Sequence, residues 1–166
     1  DTEEFRACCG RLRRYFDQPA LTTDVIVGFP GETEEEFEET LAFLKEICFF
    51  ETHVFKYSRR KGTKADRMED QIPEEIKTKR SDVLLLLSRK NRQAYQRRLL
   101  GRRVEVLMEE SCVLENEVYQ IGHTREYVQV AVPEKKDLSN RLLQVEVDVL
   151  PDFGILCGHL GNADRK

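Results

Sequence analysis

The hydrophobic pattern of the first seventy residues predicts alternating helices and strands. Residues 2–16 are predicted to form a helix, because their apolar side chains recur three or four positions apart. This stripe consists of Phe5, Cys9, Leu12 and Phe16. Residues 22–27 are a short run of β-forming side chains. Their continuous apolar character predicts a strand buried on both faces of a parallel sheet.

A second helix is predicted after the turn Gly-Phe-Pro-Gly at 28–31. Thr33 is a good N-cap, and Glu36 three positions later completes a capping box. The apolar stripe of this helix consists of Phe37, Leu41, Leu44 and Ile47. A second strand is predicted at 52–57. Since two buried parallel strands do not make a complete sheet, this βαβ unit of an α/β fold predicts further strands before Asp1.

The rest of the chain predicts a long helix and then a β-domain. Pro73, followed by two glutamates, suits the first turn of a helix that reaches about Leu99. Its predicted apolar side consists of Ile76, Val83, Leu84, Leu87 and Ala94. After Gly101 the predicted strands are 103–108, 117–121, 127–132, 142–150 and 155–160. Five short strands separated by polar turns predict a small antiparallel β-barrel. The predicted domains are therefore 1–72, a connecting helix 73–100, and the barrel 101–166.

Composition narrows the class of protein. Hydrophobic residues make up 40% and charged residues 35% of the 166 residues, as in folded proteins with a charged surface. The longest apolar run, 83–87, is far below the roughly 20 residues of a membrane span, and no signal peptide is visible. We therefore expect a cytoplasmic protein that does not contact a membrane.

The net charge of −4 hides a strongly basic stretch at 77–103, where Asp82 is the single acidic residue. Such a stretch binds phosphate or forms a solvated helix face, and composition leaves both interpretations open. The odd number of cysteines, five at irregular spacing, argues against a disulfide framework and favours a reducing compartment. His53, His123 and His159 have no metal-ligand spacing, so we predict no metal ligands and assign no catalytic acid, base or nucleophile.

Two loops follow the predicted strands, where α/β folds bind ligands. The first stretch, at 22–33, reads TTDVIVGFPGET, and the second, at 53–65, reads HVFKYSRRKGTKA. The glycines of the first loop let the backbone approach a ligand, and the helix start behind it suits an anion. The alternative interpretation is an ordinary βα turn and a basic surface loop.

Together these stretches resemble the fifth and sixth strands of the radical S-adenosylmethionine (SAM) barrel in methylthiotransferases. The family pattern is D-x-I-V-G-F-P-G-E-T followed by Y-S-x-R-x-G-T-x-A, although the family usually has proline in place of Lys56 and Lys64. The stretch GHTREY at 122–127 is similar to the G-x-T-x-x-Y signature of TRAM, the OB-like RNA-binding barrel that ends these enzymes. The resemblance covers nearly the whole chain. It implies the last strands and helices of a partial radical SAM barrel, followed by a TRAM domain.

The resemblance implies an enzyme that uses SAM and 4Fe–4S clusters to insert a methylthio group at C2 of adenosine 37 in tRNA, beside the anticodon. The implied SAM contacts are Ile26, Gly28, Phe29, Pro30, Gly31, Ser58, Arg60 and Thr63. The predicted RNA-binding residues are Arg92, Arg97, Arg98, Arg102, Arg103 and Tyr127. Tyr127 either stacks on a base or is a core aromatic of the barrel. The cluster motif C-x-x-x-C-x-x-C is absent from this chain, so we expect the chain alone to be inactive.

Two alternatives remain open at this stage. The sequence His-Val-Phe at 53–55, with Arg59 and Lys61 where prolines are common, favours the threonylcarbamoyladenosine branch of the family. The isopentenyladenosine branch more often reads F-x-Y-S-P-R-P-G-T. A protein of a different class, a stand-alone TRAM-type module that binds RNA without catalysis, is the other possibility.

Overall fold

The computed structural model describes residues 1–161; the last five residues of the predicted domain 101–166 lie outside the described residues. The chain divides into two compact units, Asp1–Arg92 and Gln93–Lys166. This boundary falls within a long helix, whereas the sequence pattern divided the chain at both ends of that helix. The functional division into 1–72, 73–100 and 101–166 stays a prediction.

The first unit contains a βαβ arrangement. The helices are α1 (Thr2–Tyr15), α2 (Glu34–Ile47) and α3 (Glu74–Arg97), with a short 3₁₀ helix at Ala65–Arg67. The strands are β1 (Thr22–Val27) and β2 (Glu51–Lys56). They pair in parallel, from Thr22 opposite Glu51 to Val27 opposite Lys56. The predicted order of helices and strands is confirmed.

The start of α2 has the capping box that the sequence predicts. The Thr33 hydroxyl accepts the Glu36 backbone N–H, and the Glu36 carboxylate accepts the Thr33 N–H at 2.9 Å. The buried residues of α2 are Phe37, Leu41, Leu44 and Ile47. They pack with Cys9, Val27, Phe49 and Leu84 in one core. The stripe predicted for α2 is therefore confirmed, whereas of the α1 stripe only Cys9 is fully buried.

The prediction that β1 is buried on both faces is wrong. Val25 and Val27 pack in the core, but Ile26 is 54% exposed. Its cross-strand neighbour Phe55 is 53% exposed. The reason is geometric: successive side chains of a strand point to opposite faces, and the described core covers one face of this sheet.

The prediction for the apolar side of α3 is partly wrong. Leu84 is fully buried and Leu87 packs against the core, but Ile76, Val83 and Ala94 are exposed. Within the first unit, the buried face of α3 is mostly polar and consists of Lys77, Arg80, Ser81, Leu84 and Ser88. Hydrophobic periodicity misses it because this face contacts backbone groups of loops and of β2, and the Ser88 hydroxyl accepts the Thr52 N–H at 2.9 Å.

The second unit is a β-barrel, as predicted. Its described strands are β3 (Arg103–Leu114), β4 (Glu117–Thr124), β5 (Gln129–Val132), β6 (Leu142–Val149) and β7 (Leu156–Leu160). They close in the order β3-β4-β5-β7-β6. The barrel is not wholly antiparallel, because β7 lies parallel to β5. Hydrophobic alternation locates strands but does not specify which strands become neighbours. Along residues 1–161, none of the helices has the length and apolar character to cross a membrane.

Candidate functional site

The two motif loops meet at the carboxyl ends of β1 and β2. The Tyr57 N–H, just after β2, donates to the Val27 carbonyl at the end of β1 at 2.8 Å. The Phe29 ring of the first loop meets the Tyr57 ring edge-on, with centroids 5.3 Å apart. Parallel pairing therefore brings both loops to one edge of the sheet, which is where ligands bind in α/β folds.

The backbone of the first loop is fixed by two hydrogen bonds. Gly28 and Gly31 have φ values of 70° and 87°, which favour glycine. The Gly28 N–H donates to the Glu32 carboxylate at 2.6 Å, and the Gly31 N–H donates to the Asp70 carbonyl at 2.8 Å. Both N–H groups are therefore engaged within the protein.

Gly28 is needed for packing as well as for its backbone angle. A Cβ atom at this position would lie 2.3 Å from the Cγ atom of Lys77, far inside contact distance. Gly31 has no atom within 4 Å of the equivalent position. Of the two glycines, Gly31 has the open surface from which a ligand could approach.

The expectation that the start of α2 suits an anion is not supported by the local charges. The capping box engages the N–H groups of Thr33 and Glu36, and the first turn is acidic at Glu34, Glu35 and Glu36. Three carboxylates at the positive end of the helix satisfy the dipole and repel a further anion. A negatively charged ligand group fits the second loop better than this helix start.

The second loop is organised around Asp66, a residue that sequence reasoning missed. Its carboxylate accepts the Gly62 N–H at 2.9 Å and the Arg59 Nε–H at 2.7 Å. These two contacts, the Gly62 N–H first, lower the pKa of Asp66. The Thr63 hydroxyl donates to the Arg60 carbonyl at 2.9 Å and accepts the Asp66 N–H. Thr63 therefore shapes this loop.

Two predicted site residues of the second loop present free polar groups. Ser58 and Arg60 are exposed, and the Arg60 guanidinium has no hydrogen-bond or ion-pair partner within residues 1–161. Because Arg59 is held by Asp66, Arg60 is the cation of this pair that remains available to a ligand carboxylate.

The remaining predicted SAM contacts lie on two sides of the sheet edge. A groove of about 790 Å³ runs along the unpaired side of β1, and Phe29, Pro30 and Gly31 contribute to its lining. Ile26 lies on the open face of the sheet. The described lining of this groove does not include Ser58, Arg60 or Thr63. The two loops are thus adjacent, but the described lining of this groove contains residues of the first loop and none of the second.

The residues that sequence analysis missed most clearly are Lys77 and Arg80. Lys77 Nζ donates to the Tyr57 carbonyl at 3.1 Å, and Arg80 Nη1 binds the Glu32 carboxylate at 2.6 Å. Both were counted only as part of a basic stretch. Their spacing with Leu84, at intervals of three and four, is the signal that could have placed them on the buried face.

The predicted RNA-binding arginines differ in their surroundings. Arg92, in the first unit, pairs with Glu51 at 3.2 Å. Arg98 lies 5.7 Å from the centroid of the Tyr95 ring. Arg97, Arg102 and Arg103 are exposed; Arg102 directly precedes β3, and Arg103 is its first residue.

The GHTREY stretch builds the turn between β4 and β5. Gly122 is needed because a Cβ atom there would lie 2.1 Å from the Leu107 carbonyl oxygen on β3. Thr124 is buried and accepts the Tyr127 N–H through its carbonyl at 3.0 Å. The signature therefore fixes a tight turn and the close approach of two strands.

Of the two interpretations of Tyr127, a core aromatic or a stacking surface, the structure excludes the first. Tyr127 is 75% exposed and has a left-handed φ of 64°, so it is not a core aromatic. It lies before β5 and not within it, because the turn ends at Val128. Its ring stacks on His123, a residue to which sequence analysis assigned no role of its own.

Within the described residues, no three His, Cys, Asp or Glu side chains are grouped in a way that would hold a metal ion. All five cysteines are free, and Cys9 and Cys157 are buried. The side chains of residues 1–161 therefore do not fit an iron–sulfur cluster.

Comparison with known proteins identifies relatives that are named for methylthio modification of tRNA. The chain is 40% identical over 146 residues to the threonylcarbamoyladenosine tRNA methylthiotransferase MtaB of Bacillus subtilis. It is 36% identical over 143 residues to the tRNA-2-methylthio-N(6)-dimethylallyladenosine synthase of Desulfitobacterium hafniense, and 35% identical over 153 residues to that of Acetivibrio thermocellus. These matches cover 87%, 86% and 92% of this chain.

No protein-family model matches the chain. The chain spans 32% of the length of each of these three curated relatives. Both motif loops and the barrel lie within a segment that is similar to tRNA methylthiotransferases over nearly its whole length. Over this segment the chain is therefore a homologue of the tRNA methylthiotransferases.

Proposed function

We propose that this chain supplies part of the SAM site and the tRNA-binding barrel of a methylthiotransferase that modifies adenosine 37 of tRNA. In this proposal residues 1–72 are the last part of the radical SAM barrel, 73–100 connect, and 101–166 are the TRAM domain. The relatives are named for tRNA modification, which supports tRNA as the partner. The cytoplasm, where tRNA is modified, is the proposed location.

The observation that carries the SAM site is the meeting of the two motif loops at one sheet edge. The hydrogen bond from Tyr57 to Val27 fixes this meeting. It leaves the unpartnered guanidinium of Arg60 and the exposed hydroxyl of Ser58 on the loop after β2. These groups fit the carboxylate and a hydroxyl of SAM, and charge-assisted hydrogen bonds of this kind are strong.

The other proposed SAM contacts act through shape. Ile26 and Phe29 present exposed apolar surface beside the loops, which suits the adenine ring. Gly28, Pro30 and Gly31 shape the first loop, and Thr63 shapes the second through its bond to Arg60. When bound to a 4Fe–4S cluster, SAM supplies the radical chemistry. The residues described here bind and orient it, and the cluster ligands are proposed to lie outside this chain.

The barrel is proposed to hold the anticodon region of tRNA. Its five-stranded closed topology is that of small barrels that bind oligonucleotides, which supports the TRAM assignment. The exposed arginines Arg97, Arg102 and Arg103 offer phosphate contacts. Arg98 and Arg92 would add to them, Arg92 only if it leaves Glu51.

The threonylcarbamoyladenosine branch is the proposed substrate class. The motif residues of the second loop support it, and relatives of the dimethylallyladenosine kind, at 35–42% identity, make that branch the alternative. Mass spectrometry of tRNA hydrolysates from cells lacking the intact protein distinguishes the two. We expect the methylthio group to disappear from threonylcarbamoyladenosine, and its loss from dimethylallyladenosine would support the other branch.

The SAM site is tested by Arg60→Ala in the intact protein. We expect SAM affinity to fall by about ten- to a hundredfold, the loss of one charge-assisted pair, while tRNA affinity is unchanged. Lys61→Ala is the matched control, because Lys61 is the exposed cation next to Arg60. Unchanged SAM binding together with weaker tRNA binding would place Arg60 on the RNA surface. A protein that binds tRNA but no SAM at all would support the stand-alone RNA-binding module.

A further inference from the structure

The face of α3 beneath the two motif loops carries buried cations. Lys77 is 9% and Arg80 is 6% exposed. Burying a charge is unfavourable unless it is hydrogen-bonded. A buried ion pair is also often no more stabilising than packed hydrophobic residues of the same volume. A general gain in stability therefore does not account for the burial of these two cations, and their contacts indicate another role.

Lys77 contacts the first residue of each loop. Its ammonium donates to the Tyr57 carbonyl at 3.1 Å and lies 5.5 Å from the centroid of the Tyr57 ring. Its aliphatic stem occupies the space beside Gly28, where a Cβ atom would lie 2.3 Å from Lys77 Cγ. One side chain thus sets the distance between the loop after β1 and the loop after β2.

Arg80 fixes the direction of the first loop. Its Nη1 donates to the Glu32 carboxylate at 2.6 Å and to the Glu32 carbonyl at 3.1 Å. The same carboxylate oxygen accepts the Gly28 N–H at 2.6 Å. Burial opposes the charge of Arg80, but the hydrogen bonds to Glu34 and Glu32 raise its pKa. Arg80, Glu32 and the Gly28 peptide form a continuous chain of charge-assisted hydrogen bonds.

Two polar atoms at this cluster remain unsatisfied. Tyr57 Oη and Arg80 Nε are buried and have no hydrogen-bond partner in the part of the chain that the structure describes. Buried polar groups without partners are rare and often mark functional positions. These two atoms indicate that the cluster holds the loops in a defined position even though not every buried polar atom gains a hydrogen bond.

We propose that Lys77 and Arg80 are positioning residues, which set the two loops at the spacing that SAM requires without contacting SAM themselves. This inference rests on the proposed function. It assigns to α3 a part in SAM binding in addition to any contribution of its basic end to RNA binding.

The test uses the intact protein with Lys77→Met, which keeps the stem beside Gly28 and removes the ammonium. We expect SAM affinity to fall by about tenfold, equivalent to one lost charge-assisted hydrogen bond. The KM for SAM should rise accordingly with little change in kcat at saturating SAM, because no reacting group is lost. The affinity for tRNA should stay within about twofold of the wild type, because the proposed phosphate contacts are made by other residues, Arg97, Arg102 and Arg103.

The matched control is Lys79→Met on the exposed side of α3, which should leave SAM binding unchanged. Arg80→Lys is the second variant, because it keeps the charge but loses the fork that holds Glu32. Arg80→Lys is expected to weaken SAM binding, while its midpoint of thermal unfolding stays close to that of the wild type. SAM binding at the wild-type level in both Lys77→Met and Arg80→Lys would overturn the proposal, and so would equal losses of SAM and tRNA binding.

Arg60→Ala separates failure of this inference from failure of the proposed function. If Arg60→Ala weakens SAM binding and the α3 variants do not, SAM binds at the loops but α3 does not position these loops. If Arg60→Ala, Lys77→Met and Arg80→Lys all bind SAM normally, the SAM site itself is misplaced.

Discussion

The phenol ring of Tyr127 lies nearly parallel to the imidazole of His123, with centroids 4.3 Å apart and planes inclined by 13°. The orientation of the imidazole is fixed, because His123 Nδ1 lies 2.8 Å from the Glu109 carboxylate. Thr124 fixes the turn that presents Tyr127. The outer face of Tyr127 is therefore an exposed aromatic surface on a fixed support.

We expect Tyr127→Ala to weaken tRNA binding by about 1–3 kcal/mol, the usual contribution of stacking one base. Tyr127→Phe should bind nearly as well as the wild type, since the ring and not the hydroxyl makes the contact. Fluorescence anisotropy with an anticodon stem-loop measures both. Equal binding of the alanine and wild-type proteins would show that Tyr127 does not contact RNA.

The basic end of α3 gives a second prediction for RNA. Residues 77–166 should bind tRNA weakly, with a slope of log affinity against log salt of roughly −3 if three or four phosphates are neutralised. The double variant Arg97→Ala/Arg98→Ala should make this slope less negative by about one to two. A filter-binding titration at several salt concentrations measures it. A flat salt dependence, or a double variant that binds like the wild type, would mean that these charges only solvate the helix.

Gly122 should be essential for the stability of the barrel. Gly122→Ala places a methyl group 2.1 Å from the Leu107 carbonyl oxygen, so the backbone must move. We expect a loss of about 1–3 kcal/mol in the free energy of unfolding. Gly10→Ala, in α1 with no atom within 4 Å, should instead stabilise by roughly 0.5–1 kcal/mol. Urea unfolding followed by circular dichroism measures both, and a neutral Gly122→Ala would contradict the close strand approach.

The second motif loop should lose its structure in acid. Hydrogen bonds from Gly62 and Arg59 lower the pKa of Asp66 in the folded protein. The stabilisation that ionised Asp66 gives the loop is therefore fully present above its unfolded pKa of about 3.9, and it is lost as the pH falls through the lower folded pKa. The amide shift of Gly62 in an NMR titration reports this step. Asp66→Asn should abolish it, whereas Asp82→Asn on exposed α3 should not. A Gly62 shift that titrates normally in Asp66→Asn would assign the step to another group.

The chain alone should assemble no stoichiometric 4Fe–4S cluster. Cluster ligands are thiolates, and burial, with a smaller effect of Cys112, raises the pKa of Cys157 to about 11. Cys9 is buried as well. Anaerobic reconstitution with iron and sulfide, followed by iron analysis and absorbance, tests this. Four irons bound per chain would refute it.

The sequence by itself determined the elements that depend on local interactions. The N-cap Thr33 with Glu36 determined the start of α2, and 3.6-residue periodicity determined its buried stripe. β-Forming runs located β1 within its actual bounds and predicted five strands after Gly101. The residues of the two motif loops, taken together, carry the resemblance to the methylthiotransferases.

Only the tertiary structure decided which groups meet across long sequence separations. It buried Lys77 and Arg80 under the loops, because loop carbonyls and Glu32 satisfy cations whose charge would otherwise favour solvent. It placed β7 parallel to β5, a choice that depends on the closure of the whole barrel. It also exposed Tyr127, since a left-handed turn residue cannot continue the strand that its neighbours form.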